Sequence, residues 1–124
     1  MCDENKMAAS GCKFPVPVTF DDDDDFCRIL LTIEEMSVRK PLFRKAQATN
    51  ADIEPSFVDG VVRISVVVTD KQVRYEYCKP LPYDVVAEDC RCDVVAGNPA
   101  RIAVVLAKAK RQSWAAHRKH FISP

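Results

Sequence analysis

Glycine is scarce in this chain: Gly11, Gly60 and Gly97 are the only three among 124 residues. A phosphate-cradling loop needs closely spaced glycines so that backbone N–H groups can approach the ligand, and this spacing excludes one. Histidine is scarcer, with only His117 and His120. Spaced three apart, they would share one face of a helix, but no His-Glu-x-x-His pattern surrounds them, and a surface pair in a basic tail is the reading adopted. No serine stands in a Gly-x-Ser-x-Gly elbow. No apolar run approaches the roughly 20 residues that cross a bilayer as a helix. The opening residues MCDENKMAASGCK lack the apolar stretch of a secretory signal, so a cytoplasmic or nuclear location is expected. These gaps leave no positive reason to propose an enzyme, a cofactor or a membrane-embedded segment.

Cysteine is present in quantity, at positions 2, 12, 27, 78, 90 and 92. Without an export signal, reduced thiols are expected rather than a disulfide framework. Cys78, Cys90 and Cys92 could be imagined as zinc ligands, but structural zinc takes four, commonly from Cys-x-x-Cys knuckles. Cys90 and Cys92 are read instead as core or subsurface fillers, and no metal is expected.

Hydrophobic residues make up 48% and charged residues 29%, which suits one globular domain with a real core. The formal net charge is zero but unevenly spread. Residues 1–25 carry seven acids and two bases, while residues 99–124 carry six bases and no acid. Ends of opposite sign can attract one another or read a polar partner. A basic tail alone is a weak nucleic-acid signal, and nucleic acid is not expected as a partner.

The run Asp21 to Asp25 repels itself, so residues 1–25 are read as a flexible acidic leader, dispensable for folding. A domain is expected over residues 26–121. In CRILLTIEE, Ile29, Leu31 and Ile33 share a face. Asp59-Gly60 is a turn signal leading into VVRISVVVT, where Val62, Ile64, Val66 and Val68 alternate inward. QVRYEYCK follows, halted by Pro80 and Pro82. AQATNADIEPSF is a weaker strand candidate interrupted by Pro55, and CRCDVV is a short one. ARIAVVLAK closes the series with Ile102, Val104 and Leu106 inward. The stretch from Val38 to Asn50 reads as an exposed basic loop in which KPLFRKA could form a helical turn. SWAAHRKHF reads as a short helix with Ser113 as its cap. The pattern predicts an all-β fold, an antiparallel sandwich of about seven strands. Its core is expected to hold Val62, Ile64, Tyr77, Ile102, Val104, Leu106 and Trp114.

The stretch LPYDVVAEDCRCDV followed by RIAVVLAKAKRQSW resembles the second half of a CS domain. This is the β-sandwich of CHORD-containing and NudC-type proteins and of several heat-shock-protein-90 co-chaperones, related in shape to small heat-shock proteins. The resemblance rests on Arg101, Ile102, Val104, Leu106, Lys108, Ala109 and Trp114, which fill a basic-apolar-x-apolar-x-Leu-x-Lys-Ala strand and its trailing Trp. FVDGVVRISVVV, VRYEYCKPL and CRILLTIEE resemble the family's earlier strands. Where family members carry an aromatic, glutamine-containing opening segment, this chain has VTFDDDDDF.

The resemblance implies a non-enzymatic protein-interaction domain, acting as a co-chaperone or scaffold and binding a chaperone of the heat-shock-protein-90 class or a specific client. In co-chaperone members a basic residue opening the last strand touches the chaperone, and Arg101 holds that place. The outward residues Ala103, Val105 and Ala107 are apolar: either a terminus or the long loop covers them, or they form a docking patch, and the docking face is expected to comprise Arg101, Ala103, Val105, Lys108, Lys110 and Arg111. A monomer is expected. The alternatives are a targeting module of a ribonucleoprotein or germline assembly, drawing on the basic Arg39–Lys45 loop, and a holdase-like chaperone. The tail Ile122-Ser123-Pro124 lacks the Ile-x-Ile/Val assembly motif of small heat-shock proteins.

Overall fold

A computed structural model describes residues 12–13 and 15–123. The described residues form ten strands, β1 (Cys12–Lys13), β2 (Val16–Asp22), β3 (Phe26–Thr32), β4 (Val38–Arg39), β5 (Gln47–Ala48), β6 (Ala51–Ser56), β7 (Val61–Val68), β8 (Val73–Pro80), β9 (Arg91–Val95) and β10 (Arg101–Ala107). A 3-10 turn (Ala115–His117) and one short helix, α1 (Arg118–Ile122), end it. The excess over the seven strands expected comes from β1, β4 and β5, which have two residues each.

Two four-stranded sheets make an all-β sandwich, one ordered β1-β8-β7-β6 and the other β2-β3-β10-β9. A two-stranded β4-β5 hairpin is hydrogen-bonded to neither of them. All pairings are antiparallel except β1 with β8. Period-2 alternation places the inward rows. In one sheet Val66 lies opposite Tyr75 and Ile64 opposite Tyr77. In the other, Leu31, Ile102 and Val94 are in register, as are Ile29, Val104 and Cys92. The seven core residues read from the sequence are all buried. Leu106 is fully buried, so Leu106→Ala is expected to cost about 2–5 kcal/mol in chemical denaturation. A loss under about 1 kcal/mol would contradict this packing.

The turn before β7 follows its sequence signal. Asp59 and Gly60 both have positive φ, 60° and 71°, as a tight hairpin reversal requires. Pro55 is accommodated because β6 is an edge strand, where a missing N–H faces away from the ladder. The KPLFRKA segment is the loop of the β4-β5 hairpin rather than a helical turn. Ser113 is not the cap expected of it: Trp114 occupies the cap position, and the Ser113 hydroxyl, one residue earlier, accepts the Ala115 N–H at 3.2 Å.

Two expectations are corrected. Residues 16–25 are not a leader. Val16–Asp22 forms edge strand β2 against β3, and Asp22, Asp24 and Asp25 find cations from the far end of the chain. The thiols are not all reduced either. Cys27, Cys90 and Cys92 are free, but Cys78 is disulfide-bonded. Among the described residues no helix is long and apolar enough to cross a membrane.

Candidate protein-docking face

The outer face of the β2-β3-β10-β9 sheet carries most of the residues singled out from the sequence. Three rows cross it in register: Asp21, Arg28, Val105 and Arg91; then Thr19, Leu30, Ala103 and Asp93; then Thr32, Arg101 and Val95. Strand β10 is central, with β3 and β9 on either side. Its small outward side chains therefore sink between longer neighbours. Ala103, Val105 and Ala107 are 1%, 5% and 5% exposed, so they do not form the open apolar patch expected of them.

What the face offers instead is a groove. Val105 lines it together with Phe26, Arg28, Arg91 and Asp21 to Asp23, enclosing about 460 Å³. Phe26 is 41% exposed, and Arg28 and Arg91 are exposed. Arg91 pairs with Asp93 at 2.8 Å. Arg28 has no ion-pair partner among the described residues. The groove thus has an uncommitted guanidinium on one wall and carboxylates at one end. Arg28, Arg91 and Phe26 were not anticipated; only the cross-strand register, which a single strand's pattern does not give, brings them beside Val105.

Arg101 opens β10 on this face, half-buried, with Nε buried and lacking a hydrogen-bond partner among the described residues. Lys108 is not a docking residue. Its side chain is fully buried, pairs with Asp22 at 2.6 Å and donates to the backbone carbonyls of Asp23 and Gln112. Its ammonium also lies 5.4 Å from the centre of the Trp114 ring. Lys110 is exposed. Arg111 is exposed but already bound, to Asp24 at 3.3 Å and Asp25 at 3.4 Å. The basic flank of β10 is therefore acid-free in sequence but not in space.

This clasp joins the two ends of the domain. Asp22 also accepts the Trp114 backbone N–H at 2.9 Å. The Trp114 ring stacks on Phe121, centroids 5.9 Å apart, and Phe121 stacks on Phe20 of β2 at 5.7 Å. Tyr77 donates to the Phe121 carbonyl at 2.7 Å. Trp114 is a core plug, as its place after the last strand suggested. The Asp23 carboxylate turns the chain between β2 and β3 by accepting the N–H groups of Phe26 at 2.7 Å and Asp25 at 2.8 Å. Those two bonds hold its pKa below the usual carboxylate range.

Glu35, at the other end of the sandwich, is a second organised carboxylate. It accepts the Tyr75 hydroxyl and, at 2.9 Å, the Lys13 ammonium. Burial works to raise its pKa, but these donors together hold it below the usual carboxylate range. A lowered folded-state value contributes stability above the unfolded pKa and loses it as pH falls through the folded one. Glu35→Gln is therefore expected to lower Tm at neutral pH, with the gap to wild type closing in acid. A gap independent of pH would contradict this.

The free thiols are poor nucleophiles. Burial pushes Cys27 and Cys92 up to about 12, with neighbouring aspartates adding to the effect, and burial also raises Cys90. Cys90 and Cys92 pack against the core as fillers. His117 and His120 do not converge on a common ligand position. His117 contacts the Tyr83 hydroxyl at 3.4 Å, and His120 donates to the Pro80 carbonyl at 2.6 Å. Comparison of the chain with protein-family models and with curated proteins gave no match.

Proposed function

We propose that this chain is a non-enzymatic protein-interaction domain of the CS type, a co-chaperone or scaffold whose partner is a chaperone of the heat-shock-protein-90 class. The observation that carries this reading is the groove over Val105, walled by Phe26, Arg28 and Arg91 on the outer face of the sheet that contains β10. An aromatic edge beside guanidinium groups is the composition that anchors protein interfaces. The resemblance places the chaperone-contacting residue at Arg101, on the same strand and face. The buried thiols, with raised pKa values, offer no ready nucleophile.

The docking set is accordingly redrawn. Arg28, Arg91, Phe26 and Arg101 make contact, Val105 and Ala103 form the floor, and Lys108 leaves the set. Arg28 and Arg91 stand beside Asp21, Asp22 and Asp23, so the groove favours a partner that presents charges of both signs in complementary places. Arg28→Glu is expected to weaken binding by about 1–3 kcal/mol if the contact is desolvated, with a small loss of Tm because the new carboxylate faces Asp21 across the strand pair. Arg101→Glu should weaken binding too, with some loss of Tm because its Nε is buried. Titration calorimetry against purified heat-shock protein 90, paired with thermal melts, reads both. Full affinity in both variants would remove this face from consideration.

A further inference from the structure

We propose that the tip of the β4-β5 hairpin is a docking device for anionic phospholipid bilayers, inserting Leu42 and Phe43 into the interface while Arg39, Lys40, Arg44 and Lys45 bind the headgroups. Leu42 and Phe43 are 82% and 96% exposed, the most exposed large apolar side chains among the described residues. They are adjacent, at the turn closed by the Arg44 N–H to the Pro41 carbonyl at 3.2 Å. Phe43 holds a positive φ of 66°, a conformation that bulky residues rarely adopt.

The tip is presented on a fixed base. Val38 and Ala48 pack against the core. Asn50 ties that base together: its carbonyl oxygen Oδ1 accepts the Ser37 N–H at 2.8 Å, and its amide donates to the Glu35 carbonyl at 3.0 Å and to Asp70 at 2.9 Å. The apolar pair therefore projects outward instead of folding back.

The charges choose the occupant. Two cations precede the apolar pair and two follow it, and no acid lies between Glu35 and Asp52. The four cations flank the apolar pair along the chain, with Lys40 and Lys45 lining a cavity beside Asp93 and Val94 of β9, and a basic flank on an apolar tip is the two-signal pattern of interfacial anchoring. A folded protein partner ordinarily needs about 800 Å² on each side, far more than a short turn offers. A bilayer closes around a wedge of any shape. This inference is independent of chaperone binding, which uses the opposite type of surface, a groove.

The test is sedimentation of the full chain with phosphatidylcholine vesicles, with and without phosphatidylserine. Co-sedimentation is expected only with phosphatidylserine, falling as salt rises. Lys40→Gln with Lys45→Gln should weaken it on the order of tenfold or more, and Leu42→Ser with Phe43→Ser on the order of tenfold. Phe43→Trp supplies a depth readout, because the native Trp114 is fully buried and silent to the surface. Its emission should shift to the blue only with anionic vesicles. Equal recovery on neutral vesicles, no recovery on either, or indifference to both double variants would overturn the proposal. So would a blue shift of Phe43→Trp with heat-shock protein 90 and none with vesicles, which would assign the tip to a protein.

Discussion

Lys108→Met is expected to destabilise the protein by about 3–5 kcal/mol. The substitution keeps the length and apolar stem of the side chain but removes the charge. Asp22, only 10% exposed, would then lose the cation 2.6 Å away, and the carbonyls of Asp23 and Gln112 would lose their donor. Breaking one half of a buried pair leaves the other half uncompensated, which is why the single variant costs far more than the pair is worth. The double variant Asp22→Asn with Lys108→Met should recover part of the loss, since Asn can still accept the Trp114 backbone N–H. Urea denaturation of the four proteins gives the coupling directly. Additive single losses would mean that Lys108 acts through packing alone.

Removing residues 1–25 is expected to be at least as damaging, and reverses the expectation drawn from composition. The truncation takes away β2, the Phe20 ring stacked on Phe121, and every acid that pairs with Lys108 and Arg111. It leaves Lys108 buried without its counter-ion and β3 as a raw edge, a liability for aggregation. A loss of 3 kcal/mol or more would lower Tm by roughly 10 °C or more in a domain of this size. A truncated chain that melts within about 3 °C of the full one would restore the leader reading.

The sequence made the long strands legible because burial on one face leaves a period of two. Val62, Ile64, Val66 and Val68 announce β7, and Ile102, Val104 and Leu106 announce β10. The same signal misled at Ala103 and Val105. Alternation tells which face a side chain takes, but not how deep it lies there. Depth is set by the neighbours Arg28, Leu30, Arg91 and Asp93, which only register supplies. The aspartate run failed for a related reason. Five adjacent carboxylates look unfoldable until their cations arrive from residues 108 and 111, more than 80 positions away. The opposite charges of the two ends hinted at this meeting. The β4-β5 hairpin escaped altogether, since two residue pairs are too few to show a period.

The groove flanked by Arg28 and Arg91 is proposed to receive a protein partner. The most direct measurement is titration calorimetry of the full chain into purified heat-shock protein 90, repeated with Arg28→Glu and Arg91→Glu combined. Saturable binding that the double reversal weakens at least tenfold, with only a modest fall in Tm from repulsion with Asp21 and Asp93, is the expected result. No binding by the wild-type chain, or equal binding by both proteins, would contradict it.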